Sequence, residues 1–239
     1  MNWPGRHDVM DDKMDFLDIL ASTLHDTKNS LGMLFNTLEE IIEQCKEQDC
    51  SLYQGFYMFQ YEIKRLNYSL IRLLSLYKAE RSQFMINIDY YSVCEFIEDT
   101  VLQCEPLLSS KGIEIETECP EGLFWAFDRS LISGVLDNVL NNAFRYAKDK
   151  VKISAFKEGE YLLLQIEDNG PGYPESMRIT DKKDSSYKRT IDINTGSTGL
   201  GLYFSMLVAK SHTKKEREGY ISIVNGGFLG GGVFTIYIP

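Results

Sequence analysis

Positions 14, 17, 21, 24, 28, 31, 35, 38, 42 and 45 step alternately by three and four, and every one except Lys28 is apolar or small. A stripe of that period runs along one side of an α-helix and needs another helix to cover it. A second stripe follows at Phe56, Phe59, Ile63, Leu66, Leu70, Leu73 and Tyr77, and Gln48-Asp49-Cys50-Ser51 between the two reads as a turn. The pattern predicts an antiparallel helical hairpin roughly 45 Å long, at about 1.5 Å per residue. Such a hairpin cannot bury its own stripe fully. A second copy completing a four-helix bundle is the expected remedy, so the chain is expected to be a homodimer.

His25, one of three histidines, follows the stripe residue Leu24 and precedes Asp26. It therefore sits beside the packed seam and within reach of solvent. A neighbouring carboxylate can hold an imidazole in one tautomer and leave the other nitrogen free as a nucleophile. Alone the signal is weak, because solvated His-Asp pairs are common on helix surfaces.

Beyond about residue 84 the pattern changes. Helical spacing over 92–110 is expected to be interrupted by Pro106 and closed by Gly112. Strands are predicted at 113–117, 123–127, 150–156, 161–167, 221–224 and 233–237, with helices from the cap Asp128 to about Ala147 and over 201–210. This mixture predicts an α+β domain, a sheet covered by helices, over residues 84–239, after a helical hairpin over 1–83.

On the helix after Asp128, Asn138 and Asn142 lie one turn apart, with Arg145 and Tyr146 close to the same face, while Val135, Val139 and Ala143 form a separate packing stripe. Stacked amides offer oxygens to Mg²⁺, and Arg145 adds a fixed positive charge. Asp168-Asn169-Gly170-Pro171-Gly172 leaves a strand end, where a carboxylate can accept from an adenine amino group. Gly196-Ser197-Thr198-Gly199-Leu200-Gly201-Leu202 opens a helix whose N–H groups can cradle phosphates.

In this order and spacing the segments resemble the sensor histidine kinases of two-component systems, over nearly the whole chain. Leu24 to Asn29 looks like the family's phosphoacceptor box, Asn138 to Tyr146 like its N box, Asp168 to Gly172 like its G1 box and Gly196 to Leu202 like its G2 box. The resemblance implies an α/β sandwich of the GHKL or Bergerat type behind a dimerisation and phosphotransfer hairpin, using ATP and Mg²⁺. It implies His25 as the nucleophile, Asp26 as its acid–base partner, and Asn29 as the residue that positions water to dephosphorylate a response regulator. Asn142 and Asn138 would hold Mg²⁺, Arg145 and Tyr146 would face the nucleotide, and Asp168 would bind adenine. Gly170, Gly172, Gly196, Thr198, Gly199, Leu200, Gly201 and Leu202 would line the nucleotide cradle. The stretch 173–195 would be a lid, in which no clear aromatic F box appears and Tyr187 would stand in by position. Gly230-Gly231-Gly232 lacks the hydroxyl residue usual before the last strand.

Three other readings stand beside it. A hydrolysing GHKL ATPase would have Glu, not Asn138, as the base. A phosphotransfer protein with a decayed ATP domain would be expected to lose its glycine boxes, and a GHKL serine kinase would not need the heptad hairpin.

The net charge of −10 disfavours nucleic acid and anionic membranes as partners. No apolar run approaches the roughly 20 residues of a membrane span, and the polar start does not read as a signal peptide. A soluble, cytoplasmic chain is expected, with a signal arriving from a separate sensory protein or a longer chain. Cys45, Cys50, Cys94, Cys104 and Cys119 read as reduced thiols, and His7 and His212 as surface residues.

Overall fold

The computed structural model describes residues 84–109, 111–180 and 200–239, together with 23, 26, 27, 29–38, 41, 42, 59, 63, 66–75 and 77. The chain divides into two compact units, Met1–Phe84 and Met85–Pro239.

In the first unit every described residue from 23 to 42 and from 59 to 77 is helical. Leu38, Ile42 and Ile63 are buried together, with Leu31 and Phe35 packed against them, and all five belong to the two predicted stripes. Three other stripe residues stay open on the single chain: Phe59, Leu66 and Leu73 are 60%, 51% and 40% exposed.

The second unit runs β1 (Asp89–Ser92), α1 (Val93–Ser109), β2 (Glu114–Glu118), β3 (Phe124–Phe127), α2 (Arg129–Tyr146), β4 (Lys150–Glu158) and β5 (Tyr161–Asp168). A short 3₁₀ turn (Glu175–Met177) follows, then α3 (Leu200–Ser211), β6 (Thr213–Lys214), β7 (Arg217–Glu218), β8 (Tyr220–Asn225) and β9 (Gly232–Ile238). Five strands form one mixed sheet in the order β2-β4-β5-β9-β8. Only the β2–β4 pair is parallel.

Alternation along the strands sorts the sheet into two faces. Val151, Ile153, Ala155, Leu162, Leu164, Ile166, Phe234, Ile236, Ile238, Ile221 and Ile223 are all at most 4% exposed and face the helices. From the helix side, α2 contributes Ile132, Val135, Leu136, Val139, Leu140, Ala143 and Phe144, and α3 contributes Phe204 and Val208. Arg129 ties α1 to α2: it pairs with Asp99 and lies 5.6 Å over the rings of both Tyr91 and Phe96. The expected α+β domain, one sheet covered by helices, is what forms.

Some local expectations fail. Helix α1 runs through Pro106 to Ser109, forgoing the one ladder bond that the proline nitrogen cannot donate. Gly112 then closes it at φ 71°, with the amides of Lys111 and Ile113 both donating to the Leu108 carbonyl. Strand β1 escaped the pattern, since Asp89-Tyr90-Tyr91-Ser92 is short and gains its identity from pairing with β3. Two of the cysteines are not reduced thiols: Cys94 and Cys119 form a disulfide with Cα atoms 5.6 Å apart.

His212 is not a surface residue but 1% exposed. Its Nε2 accepts from the Asp128 amide at 3.0 Å, which leaves Nδ1 as the protonated nitrogen, donating to the Val208 carbonyl at 2.8 Å. Asp128, itself buried, caps α2 by accepting from the Leu131 amide at 3.0 Å and reaches back to the Asn87 amide at 2.7 Å. One imidazole thus joins the end of α3 to the start of α2.

Burial holds the His212 imidazole below its ordinary pKa, outweighing the opposing effects of the Val208 hydrogen bond and the Asp128 charge. The folded state therefore takes up this proton less readily than the unfolded chain. Stability should fall as pH drops below the unfolded histidine value of about 6.5, by at most about 1.4 kcal/mol per pH unit. Denaturant titrations between pH 7.5 and 5 should show that slope in the wild type and a shallower one in His212→Gln.

Candidate functional site

Of the predicted nucleotide residues, those described fall in two groups, one where β5 ends, α2 ends and β9 begins, the other where α2 meets the start of α3. Asp168 is the last residue of β5. Its Oδ1 accepts from the Gly170 amide at 2.7 Å and from the Gly232 amide at 3.4 Å, so one carboxylate oxygen is fixed by backbone and Oδ2 makes neither bond. Two ordered N–H donors hold the group as an oriented acceptor.

Glycine is required here by contact. A Cβ at Gly170 would overlap the Tyr146 carbonyl, and one at Gly231 the Asp168 carbonyl. At Gly232 it would lie 2.8 Å from both Asp168 Oδ2 and the Tyr173 ring. The turn after β5, the C-terminus of α2 and the start of β9 therefore touch backbone to backbone. Gly172 has φ 79° and lies against Asn225, which accepts from the Tyr173 amide at 2.7 Å and donates to its carbonyl at 2.9 Å. Further along, Ile179 exchanges two 2.9 Å backbone bonds with Ile223 of β8. The root of the predicted lid is thus pinned to the sheet edge up to residue 180, and residues 181–199 lie outside the described residues.

Asn138 and Asn142 are half-buried, on the side of α2 away from its buried stripe. Asn138 meets the second residue of α3, since a Cβ at Gly201 would overlap its amide. Leu200 and Leu202 are half-buried beside it. Arg145 and Tyr146 are exposed at the end of α2. Lys111 comes from the α1–β2 turn to this end, donating to the Phe144 carbonyl at 2.8 Å, with its ammonium 4.1 Å over the Phe144 ring. A cation there opposes the negative end of the helix dipole.

The structure thus brings together Asn138 and Gly201, and separately Asp168, Gly170, Gly172 and the backbone of Tyr146. Gly196, Thr198 and Gly199 lie outside the described residues, as does His25. The described residues nearest His25, Thr23, Asp26, Thr27, Asn29 and Ser30, are helical and exposed, and the Thr27 and Ser30 hydroxyls donate to the Thr23 and Asp26 carbonyls at 2.7 and 3.0 Å.

Several site residues had no role assigned from sequence. Asn169 Oδ1 accepts from the amides of Lys148, Asp149 and Lys150 at 3.1, 3.2 and 3.1 Å, and its Nδ2 donates to Asp149 at 2.6 Å. It fastens the α2–β4 connection to the Asp168 turn. Tyr173 sits beside Asp168, and burial, then the Asp168 charge, hold its phenol well above the usual tyrosine value. Asn225 shows its role only as the clamp on Tyr173. The asparagine inside Asp-Asn-Gly was a readable turn signal. The long-range partners of Tyr173 and Asn225 were not.

Residues 127–239 match the model of the family described as histidine kinase-, DNA gyrase B- and HSP90-like ATPases. The chain as a whole is similar to sensor histidine kinases. It is 22% identical over 200 residues to the sensor protein SrrB of Staphylococcus aureus, a match that covers 82% of this chain. The chain spans about a third (34%) of the length of that curated relative. Among solved structures, the Acinetobacter baumannii histidine kinase AdeS aligns with a TM-score of 0.57 at 22% identity, covering 85% of this chain and 95% of that one. Full-length ShkA in complex with AMPPNP aligns with a TM-score of 0.58 at 18% identity, covering 93% of this chain and 45% of ShkA. These structural likenesses bear on the fold.

Replacing Asn169 with Ala removes the acceptor of three amides that water can partly rehydrate. The expected loss is about 2 kcal/mol of unfolding free energy, at roughly 0.5–1.5 kcal/mol per hydrogen bond. Urea titration of Asn169→Ala measures it, and an unchanged midpoint would remove the residue from the site's framework.

Proposed function

We propose that this chain is the kinase of a two-component system: it takes the γ-phosphoryl group of ATP onto His25 and passes it to an aspartate of a response regulator. The observation that carries the reading is a pair of close-packed glycine sites in an ATPase-like domain: a backbone-fixed Asp168 among Gly170, Gly231 and Gly232, and Asn138 against Gly201. Those glycines leave room for a ligand to approach backbone closely, which is what a nucleotide cradle needs.

In this reading the first unit is the dimerisation and phosphotransfer hairpin, and the second is the catalytic domain. Asp168 accepts from the adenine amino group. The amide oxygens of Asn142 and Asn138 hold Mg²⁺, whose chemistry there is to neutralise the charge that develops on the phosphates. Arg145 and Tyr146 face the nucleotide, and Leu200, Gly201 and Leu202, with Gly196, Thr198 and Gly199, border the phosphates. Asp26 orients the His25 imidazole so that the free nitrogen attacks phosphorus in line, and the proton on the other nitrogen stays with the carboxylate pair. Asn29, one turn further and exposed, positions the water that discharges the regulator, making the enzyme kinase and phosphatase in one.

The exposed stripe residues Phe59, Leu66 and Leu73 support a second copy of the chain as the cover of the hairpin. The chain is proposed to act in the cytoplasm, with its signal delivered by a sensory protein or segment.

Radiolabelled ATP should leave acid-labile, base-stable label on the purified chain, and His25→Gln should abolish it. Label that survives that substitution overturns the assignment. Asp168→Asn should weaken binding of a fluorescent ATP analogue at least about tenfold, the equivalent of losing roughly 1.4 kcal/mol. In a preparation of phosphorylated regulator, Asn29→Ala should slow loss of phosphate while autophosphorylation persists; unchanged decay would refute the phosphatase role.

A further inference from the structure

Cys94 lies in the first turn of α1, directly after β1, and Cys119 directly follows β2, ahead of β3. Their Cα atoms are 5.6 Å apart, inside the span that a disulfide bridges without moving backbone. Both side chains are half-buried at the surface and so reachable from solvent. The Pro120 carbonyl oxygen lies 3.1 Å from Cys94 Sγ and 3.7 Å from Cys119 Sγ. A thiol at either position therefore finds an acceptor already in place, so the same backbone accommodates the dithiol as well as the bond. Cys104 is different: its sulfur is 3.5 Å from the Val101 carbonyl, within its own helix.

The surroundings divide the work between the two sulfurs. Cys119 and Pro120 border a polar cleft of about 430 Å³ on the sheet face away from the helices, with Glu118, Lys152 and Gln165 among its other walls. A small reagent reaches Cys119 there. Cys94, in the first turn of α1, has its thiolate favoured by the helix N-terminus. Glu95, Glu118 and Glu121 are exposed around the pair, and Lys152 is engaged with Glu118 at 2.7 Å, so the approach is acidic.

We propose that Cys94 and Cys119 form a reversible redox modification site that exchanges with small neutral or cationic disulfides. The Cys119 thiolate attacks one sulfur of the reagent disulfide, forming a mixed disulfide and expelling the first reagent thiol. The Cys94 thiolate then attacks Cys119 Sγ and expels the second. The two protons from the protein thiols leave with the two reagent thiols, so two cysteines are oxidised and one disulfide is reduced. A dithiol reverses the sequence. The bond closes a loop beside the hydrogen bond from the Val93 amide to the Leu123 carbonyl, at 2.9 Å. It thereby staples α1 to the turn that leads through β3 to the α2 cap.

The test uses the full chain, reduced and then treated with cystamine or with oxidised glutathione. Peptide mapping should show Cys94 joined to Cys119 after cystamine, formed several-fold faster than with the anionic glutathione disulfide. The melting temperature of the oxidised chain should rise by roughly 5–10 °C over the reduced chain, from loop closure in the unfolded state. Cys104→Ser should leave both results unchanged, and Cys119→Ser should abolish them. In case that variant fails to fold, alkylation of the native reduced wild type provides a second measurement: Cys94 and Cys119 should react before Cys104. Bonds to Cys45, Cys50 or Cys104 instead, a mixed disulfide that persists, or equal melting temperatures would overturn the proposal.

Discussion

The rotation of α2 about its own axis is the constraint on which the second unit depends. Seven buried side chains, from Ile132 to Phe144, seat the helix on the inner face of the sheet. Turning it by even one residue, about 100°, would drive an asparagine into that apolar layer and expose a core residue. With the stripe seated, Asn138 and Asn142 must look the other way, and Asn138 meets the start of α3. The half-buried amides are thus placed by packing, and nothing local to them has to supply their orientation.

Both ends of that helix are then fixed by groups from elsewhere in the chain. At its start, Asp128 takes the Leu131 and Asn87 amides, and the His212 imidazole accepts from the Asp128 amide. At its end, Lys111 satisfies the Phe144 carbonyl, and the Tyr146 carbonyl lies against Gly170. Unpaired groups at helix termini cost most when water is kept out, so these ties matter more at the buried start than at the open end. Because β3 runs directly into Asp128, the β1–β3 ribbon and the cap form one continuous piece of framework.

Much of this was legible in the sequence, and what was not has a common cause. The Asp128 cap, the packing stripe of α2, and the strands of β4, β5, β8 and β9 are local patterns of period 3.6 or 2, and they form within a residue or two of where the pattern sets them. Asn138 and Asn142 shared a face by arithmetic alone. The disulfide, the burial of His212, the clamp of Asn225 on Tyr173 and the identity of β1 each join residues 25 or more apart. Spacing along the chain carries no record of such pairings. Pro106 misled in a different way: proline disfavours a helix interior, yet α1 continues through it for three more residues.

The division into two units has a chemical logic of its own. Phosphoryl transfer asks for alignment and charge neutralisation more than for covalent machinery, so on the proposed reading one unit has only to hold ATP and the other only to present an imidazole. The ATP-binding part must keep a rigid floor, and it has one in the backbone contacts among Gly170, Gly231 and Asp168. On the proposed reading the acceptor part must stay reachable, and Asp26 and Asn29, which follow His25 closely, are both exposed. Rigidity is concentrated where a nucleotide would be oriented, and exposure where two different partners, the ATP-bearing domain and a regulator, would have to reach the same histidine in turn.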